Sequence, residues 1–330
     1  MTIEQDVLEL YTAMFNRVAD YSGLNYWVNE MEQNNWSIVN VASSFADQKE
    51  YELAFPESND ASFFITTIYN NLLNRVPDSE GLNYWVNELE SGSIAPEHAT
   101  LAIINGAKAN TSSRIDAELI ANKTSVSFYS SNILKLDEVS SPDMLLSTVT
   151  SELTSVTQAK KTLDTIAANS YGADGLGVYD GHKYLIYSDP ASYEDALTIS
   201  KQVDSKANSS LVKIDSSKEN DFVFELLKNY NITTSALDGG GSNYIWLGAS
   251  DSIVEGNWLW SDGSVMEYEN WGAKDGISEP DNFDGSLLGN NYTGQQDAAA
   301  MAVTDWSIGI AGQWNDLDGA NQLAYIVEVF

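Results

Sequence analysis

The sequence predicts two domains: an all-α helical domain over residues 1–170, then an α+β domain over residues 171–330. Three observations predict it. A chain of 330 residues is long enough for two hydrophobic cores. A motif with helical spacing occurs twice in the first half. Beyond the glycine-rich stretch 167–177 (AANSYGADGLG), the apolar pattern changes to short extended runs mixed with two helical ones.

In the first half, Val7, Leu10, Tyr11 and Met14 have the spacing of one helix face, and Ile65, Ile68, Tyr69, Leu72 and Leu73 repeat it. Each run leads into the same string. Asn16-Arg17-Val18-Ala19-Asp20 continues to Gly23-Leu24-Asn25-Tyr26-Trp27, and its copy runs Asn74-Arg75-Val76-Pro77-Asp78 to Gly81-Leu82-Asn83-Tyr84-Trp85. Each copy reads as helix, turn, helix. Asp20 and Asp78 are expected to cap the second helix and pair with Arg17 and Arg75, and Gly23 and Gly81 to take left-handed backbone. Residues 150–168 read as a further helix.

In the second half, Lys183–Tyr187 reads as a strand, Ser192 as the cap of a helix, and Leu211–Ile214 as extended. Ser216 or Ser217 opens a second helix carrying Phe222, Phe224, Leu226 and Leu227. Tyr244–Gly248, Trp258–Trp260, Ala298–Val303 and Ala324–Val329 read as strands. The long intervening loops call for a function or an ordering ligand.

Composition narrows the partners. Forty-eight acidic residues against 16 basic ones give a formal net charge of -32. Such a chain repels nucleic acid and anionic lipid, so neither is expected as a partner, and its self-repulsion is relieved by cations. With no cysteine, disulfides, thiolate metal sites and thiol catalysis are excluded. His98 and His182 fall in different predicted domains, and no phosphate loop or nucleophile elbow is present, so no enzyme activity is expected. No run approaches the roughly 18 apolar residues of a membrane span. The opening Met1-Thr2-Ile3-Glu4-Gln5-Asp6 lacks the features of a secretory leader. The chain is therefore expected to be cytoplasmic, exported without a cleaved signal in this segment, or a segment of something larger.

The chemistry concentrates near the end. Glu279-Pro280-Asp281 and Trp314-Asn315-Asp316 supply hard oxygen ligands, of which calcium takes six to eight. The X-Pro bond between the first two residues is of the type that adopts cis.

Two resemblances follow from these residues. The repeated strings, with Ile120–Val126 and Ser155-Val156-Thr157, resemble over residues 5–168 a helical family of unknown function found in bacterial RTX-type exoproteins, adhesins and S-layer proteins. That resemblance implies a surface context within a larger adhesin and no activity. Residues 178–330 resemble the C-type lectin fold. The matching pieces are Ser192-Tyr193, Leu211-Val212, Trp246-Leu247-Gly248, Glu255-Gly256, Trp258, Trp260, Asn270-Trp271 and the two acidic motifs. The family's disulfides are absent, and Ala298 stands where a cysteine is usual.

The lectin resemblance implies a calcium ion held by Glu279, Asp281, Asn315 and Asp316. A fifth ligand, usually glutamate, falls at Gln296, or at Asp297 if the register slips by one. An auxiliary calcium is implied at Asp251, Glu255, Asn282 and Asp297. Two neighbouring sugar hydroxyls would bind the primary ion. Glu279 matches the mannose, glucose and fucose pattern, and Asp281 the galactose pattern. Trp271, Tyr292 and Trp306 are candidates to stack on a sugar, or else to fill the core. The expected partners are cell-surface glycans, and the expected location is extracellular. A protein-binding relative of the fold and a calcium-stapled structural module are the competing expectations.

Overall fold

The computed structural model describes residues 2–56, 60–109, 114–137, 139, 145–204, 207–283 and 295–330. They form two compact units, Met1–Ile166 and Ala167–Phe330. No helix is long and apolar enough to cross a membrane among the described residues.

The first unit is helical. Its helices are α1 (Ile3–Phe15), α2 (Tyr21–Gln33), α3 (Ile38–Ala46), α4 (Lys49–Ala54), α5 (Ala61–Leu73), α6 (Ser79–Glu90), α7 (Pro96–Ala109) and α8 (Arg114–Phe128). A ninth, α9 (Leu153–Ser170), continues into the second unit. Thr2 and Gln5 form a reciprocal capping box that starts α1. The next residues, Val7, Leu8, Leu10, Tyr11, Ala13 and Met14, are buried where α1 meets α2, α5, α7 and α8.

The repeat is real, but its glycines act differently from the expectation. Asp20 and Asp78 cap α2 and α6, accepting from the N–H groups of Gly23 and Gly81 at 2.6 and 2.7 Å. The left-handed residues are Asn16 (φ 51°) and Asn74 (φ 53°), which end α1 and α5. Gly23 is needed for space, because a Cβ there would lie 2.4 Å from Asp20 Oδ1 and 2.6 Å from the Tyr11 hydroxyl. Arg17 pairs with Asp20 and Glu50, whereas Arg75 pairs with Asp116 rather than with Asp78. Lys123 is fully buried at the end of α5, where its ammonium donates to Asn71 O and Asn74 Oδ1. Burial pushes its pKa down to about 8.

The second unit is built on β1 (Gly175–Tyr179), β2 (His182–Ala191), β3 (Ser209–Leu211), β4 (Tyr244–Ser250), β5 (Leu259–Trp260), β8 (Ala298–Ala302), β9 (Trp314–Leu317) and β10 (Leu323–Val329). The small hairpin β6 (Ala273–Lys274) and β7 (Ile277–Ser278) lies apart from the main sheet. The main order is β1-β2-β10-β4-β8-β9, with β3 on β10 and β5 on β4. The β10–β4 pair is parallel, and the other pairs are antiparallel. Helices α10 (Tyr193–Ser200) and α11 (Ser217–Leu227) are capped by Ser192 and Ser216.

The glycine-rich stretch hides a strand. Gly175 and Gly177 lie within β1, and Cβ atoms there would strike Tyr230 at 2.1 Å and Leu226 at 2.9 Å. These glycines serve close packing rather than a turn. The core holds Tyr184, Ile186, Val212, Val223, Ile245, Leu247, Trp260, Met301, Trp314 and Ile326. Trp246 is fully buried, and its indole N–H donates to Ala191 O at 2.9 Å. All five residues of β8 are buried, including Ala298.

Gly248 marks the tightest backbone approach in this sheet. Its N–H donates to Val212 O at 2.8 Å, and a Cβ would lie 2.7 Å from Leu211 O. Gly248→Ala is expected to destabilise the second unit by about 1–3 kcal/mol through overpacking against backbone that cannot yield. Chemical denaturation followed by tryptophan fluorescence checks this, because six of the nine tryptophans lie in that unit.

Candidate metal centre

Three segments build the site. The first follows β7, where Glu279 N donates to Gly272 O at 2.8 Å and Gly272 N donates to Trp314 O at 2.9 Å. These bonds tie the Glu279-Pro280-Asp281 loop to the start of β9. The Glu279–Pro280 bond is cis. The second segment is β9 itself, where Asn315 and Asp316 lie opposite Ala300 and Ala299 of β8. The third is the approach to β8 at Gln296 and Asp297.

Asp316 is fully buried and fixes the loop, because it accepts from Asp281 N at 3.2 Å and from Asn282 N at 2.8 Å. Glu279 is also buried. Its Oε1 accepts a long hydrogen bond, 3.4 Å, from Trp306 Nε1, while its Oε2 is buried with no hydrogen-bond partner. Asp281 is exposed. One oxygen from each of Glu279, Asp281 and Asp316 lies within 4.8 Å of the others.

Like charges this close repel by about 4 kcal/mol per pair at 4 Å and an effective dielectric of about 20. Burial, followed by the Asp281 and Asp316 charges, pushes the Glu279 carboxyl up to about 8. Burial also raises Asp316, to about 6, against the backbone hydrogen bonds that lower it. The largest causes of both shifts include no basic side chain. A buried acceptor left without a donor is costly and needs an explanation. A bound cation supplies one.

Two amides join the carboxylates. Asn315 Nδ2 donates to the Tyr244 hydroxyl at 3.0 Å, which in turn donates to Gly239 O at 2.7 Å. With its nitrogen committed inward, Asn315 offers a carbonyl oxygen. Gln296 Oε1 accepts from Phe283 N at 2.5 Å, and the same N–H donates to Asp281 Oδ1 at 3.1 Å. The shared donor brings the Gln296 oxygen beside an Asp281 oxygen.

Asp251, Glu255 and Asp297 form a second acidic group. Asp251 is buried; its Oδ2 accepts from Gly256 N at 2.8 Å, and its Oδ1 has no partner. Burial, then the Glu255 and Asp297 charges, raise the Asp251 pKa, and burial followed by Glu255 raises that of Asp297. Asn282 turns toward the first group, because its Oδ1 accepts from Gln296 N at 3.2 Å.

The aromatic candidates divide. Trp306 is buried between Gly272 and Gly309, where Cβ atoms would meet its ring at 2.4 and 2.2 Å. It supports Glu279 and offers no open stacking face. Trp271 packs edge-on against Trp314 at 5.8 Å. Tyr292 lies outside the described residues. Sequence reasoning missed Asp238 and Tyr244 as supports of the site. Asp238 precedes Gly239-Gly240-Gly241 and reads locally as a turn, and Tyr244 reads as core, so neither carried a signal.

Residues 193–326 match the family model of the lectin C-type domain, and residues 42–111 match that of a domain of unknown function, DUF4214. The chain is similar to an alpha-N-acetylgalactosamine-specific lectin of Patiria pectinifera, with 24% identity over 151 residues, 46% of this chain and 76% of the relative. It is 37% identical over 100 residues to Snaclec A9 of Macrovipera lebetinus, covering 29% of this chain and 69% of the relative. Among solved structures, the C-type lectin CEL-I from Cucumaria echinata is 25% identical with a TM-score of 0.36, covering 47% of this chain and 94% of that one.

The carboxyl shifts fix a pH dependence. Glu279 and Asp316 hold protons in the cation-free fold at pH values where the unfolded chain, with ordinary values of 4.5 and 3.8, has released them. Stability from these groups is therefore fully present below about pH 4 and is lost as pH rises through about 6 and then 8. In chelator, the melting temperature of the second unit is expected to fall from pH 5 to pH 8. With millimolar calcium the slope flattens or reverses, because the ion binds the deprotonated carboxylates. Calorimetric scans across that range check it.

Proposed function

This chain belongs to the lectin C-type domain family through residues 193–326, and we propose that its second unit binds glycans through a calcium ion held by Glu279, Asp281, Gln296, Asn315 and Asp316. The observation that carries the reading is the convergence of three carboxylates, two of them buried, with one Glu279 oxygen buried and without a hydrogen-bond partner among the described residues. Three carboxylate and two amide oxygens suit calcium, which prefers hard oxygen ligands in flexible numbers. When bound, calcium supplies the positive centre on which two neighbouring sugar hydroxyls replace water.

The side chains then do the selecting. Glu279 and Asp281 flank the proline and accept hydrogen bonds from the sugar hydroxyls. Asn315 and Gln296 are held with oxygens as the available ends. The retained Glu279 favours the mannose, glucose and fucose class. Asp281 is the element shared with galactose binders, and the relative named for N-acetylgalactosamine makes that class the competing outcome. Asp251, Glu255 and Asp297, with Asn282 at the seam between the two groups, hold an auxiliary calcium in this reading.

The activity proposed is binding rather than catalysis. The extracellular setting, adhesion to host or other cells and placement within a larger RTX-type bacterial surface adhesin with a role in biofilms are parts of the same proposal. The net charge of -32 and the helical DUF4214 segment support them. Affinity for one sugar is weak at a shallow polar site, and multivalency on a surface compensates.

A glycan array with and without EDTA tests the reading. Wild type is expected to bind one sugar class only with calcium. Asp281→Ala is expected to lose glycan signal and at least about tenfold in calcium affinity. Calcium at 100 times its dissociation constant should stabilise the wild-type unit by about 2.7 kcal/mol. Stabilisation without any glycan signal would mark a protein-binding or structural calcium module instead.

A further inference from the structure

We propose that Asp238 is a positioning residue for the calcium site, fixing the Gln296 side chain so that its oxygen, not its nitrogen, faces the ion. This rests on the calcium-binding reading above and assigns the residue that makes a glutamine serve where a glutamate is usual.

The geometry is specific. Gln296 is 2% exposed, so both ends of its amide need partners. Its Nε2 donates to Asp238 Oδ2 at 3.0 Å. Its Oε1 accepts from Phe283 N, the donor shared with Asp281 Oδ1. A flipped amide would set its oxygen against the Asp238 carboxylate and its N–H₂ against the Phe283 N–H. Both contacts are repulsive, so one orientation is selected. Asp238 is itself held, because Oδ2 also accepts from Asp318 N at 2.8 Å and Oδ1 accepts from Asn321 Nδ2 at 2.7 Å. It lies between α11 and β4, far in sequence from the proposed ligands of the primary ion, and it reaches the site through Gln296.

Asp238 also constrains what can stand at 296. A glutamate there would place two carboxylates about 3 Å apart, where like charges do not both ionise readily. Gln296 and Asp238 therefore form an exchange pair: the acceptor at 238 demands a donor at 296.

A double-mutant cycle on the full chain tests this with calcium alone as the probe. Calcium affinity is measured by titration calorimetry for wild type, Asp238→Ala, Gln296→Ala and the double variant, with melting in chelator as the check on folding. Asp238→Ala is expected to weaken calcium about tenfold in the wild-type background and by less than about twofold when Gln296 is already alanine. An equal loss in both backgrounds would overturn the proposal, because Asp238 would then act through Asp318 and Asn321 as a structural group. If Asp238→Ala fails to fold, Asp238→Leu, which keeps the volume and removes the acceptor, takes its place in the same cycle and is read by the same criterion. A folded wild type that binds no calcium would overturn the calcium reading and this proposal with it, whereas calcium binding without coupling would overturn this proposal alone.

Discussion

Two buried carboxylates, Glu279 and Asp316, held beside the exposed carboxylate of Asp281, are the constraint on which the second unit is organised. Charge of one sign in a low-dielectric site is unfavourable, and a chain meets that cost only if something returns it. Asp316 recovers part through two backbone N–H groups of the loop it faces. Glu279 recovers less in its ionised form, with one long indole contact and one oxygen that has no donor. The imbalance is local and large, and proton uptake or a divalent cation relieves it.

The surrounding structure holds these carboxylates in place. The sheet carries Asn315 and Asp316 on β9 next to a β8 made of four alanines and a methionine, all buried. Trp314, one residue before the ligands, is fully buried; its indole N–H donates to Asn220 at 2.8 Å, and its ring meets those of Trp260, Tyr268 and Trp271. Packing of this kind fixes rotamers and leaves little room for β9 to shift. Gly272 and Gly309 admit the Trp306 ring, which closes the side of Glu279. Tyr244 and Asp238, from the same stretch of chain, each hold the nitrogen of one amide and so turn two oxygens outward. The segment Glu279–Asn282 is therefore held against a rigid sheet through Gly272 O and the Asp316 carboxylate.

The helical unit relies on a different economy. Its repeat places an aspartate cap and a glycine at the same points in both copies, and in the first copy Gly23 is needed for volume rather than for backbone freedom. Buried charges there are satisfied within the unit. Glu9 meets Lys108 at 2.6 Å, and Lys123 closes the carbonyl end of α5. The contrast with the second unit is physical: Glu9 and Lys123 each have hydrogen-bond partners, whereas the acidic cluster of the second unit leaves a buried Glu279 oxygen without one.

The sequence by itself determined most of the architecture and the identity of the acidic residues. Helical spacing, serine and aspartate caps and alternating apolar runs are local signals, and Asp78, Ser192, Ser216, β4, β8 and β10 followed from them. Glu279, Asp281, Asn315 and Asp316 were legible because their motifs are contiguous. What the tertiary structure alone decided is which atoms meet. The glycines of β1 looked like a break because Tyr230 and Leu226, which require them, lie about fifty residues away. Arg75 reaches Asp116 rather than the nearer Asp78 because helix packing sets its partner. Asp238 carried no signal because its role exists only once Gln296, 58 positions along the chain, is folded against it. Local patterns write the elements and name the charged groups. Hydrogen-bond direction and burial, which turn those groups into a site, depend on distance in space and appear only in the fold.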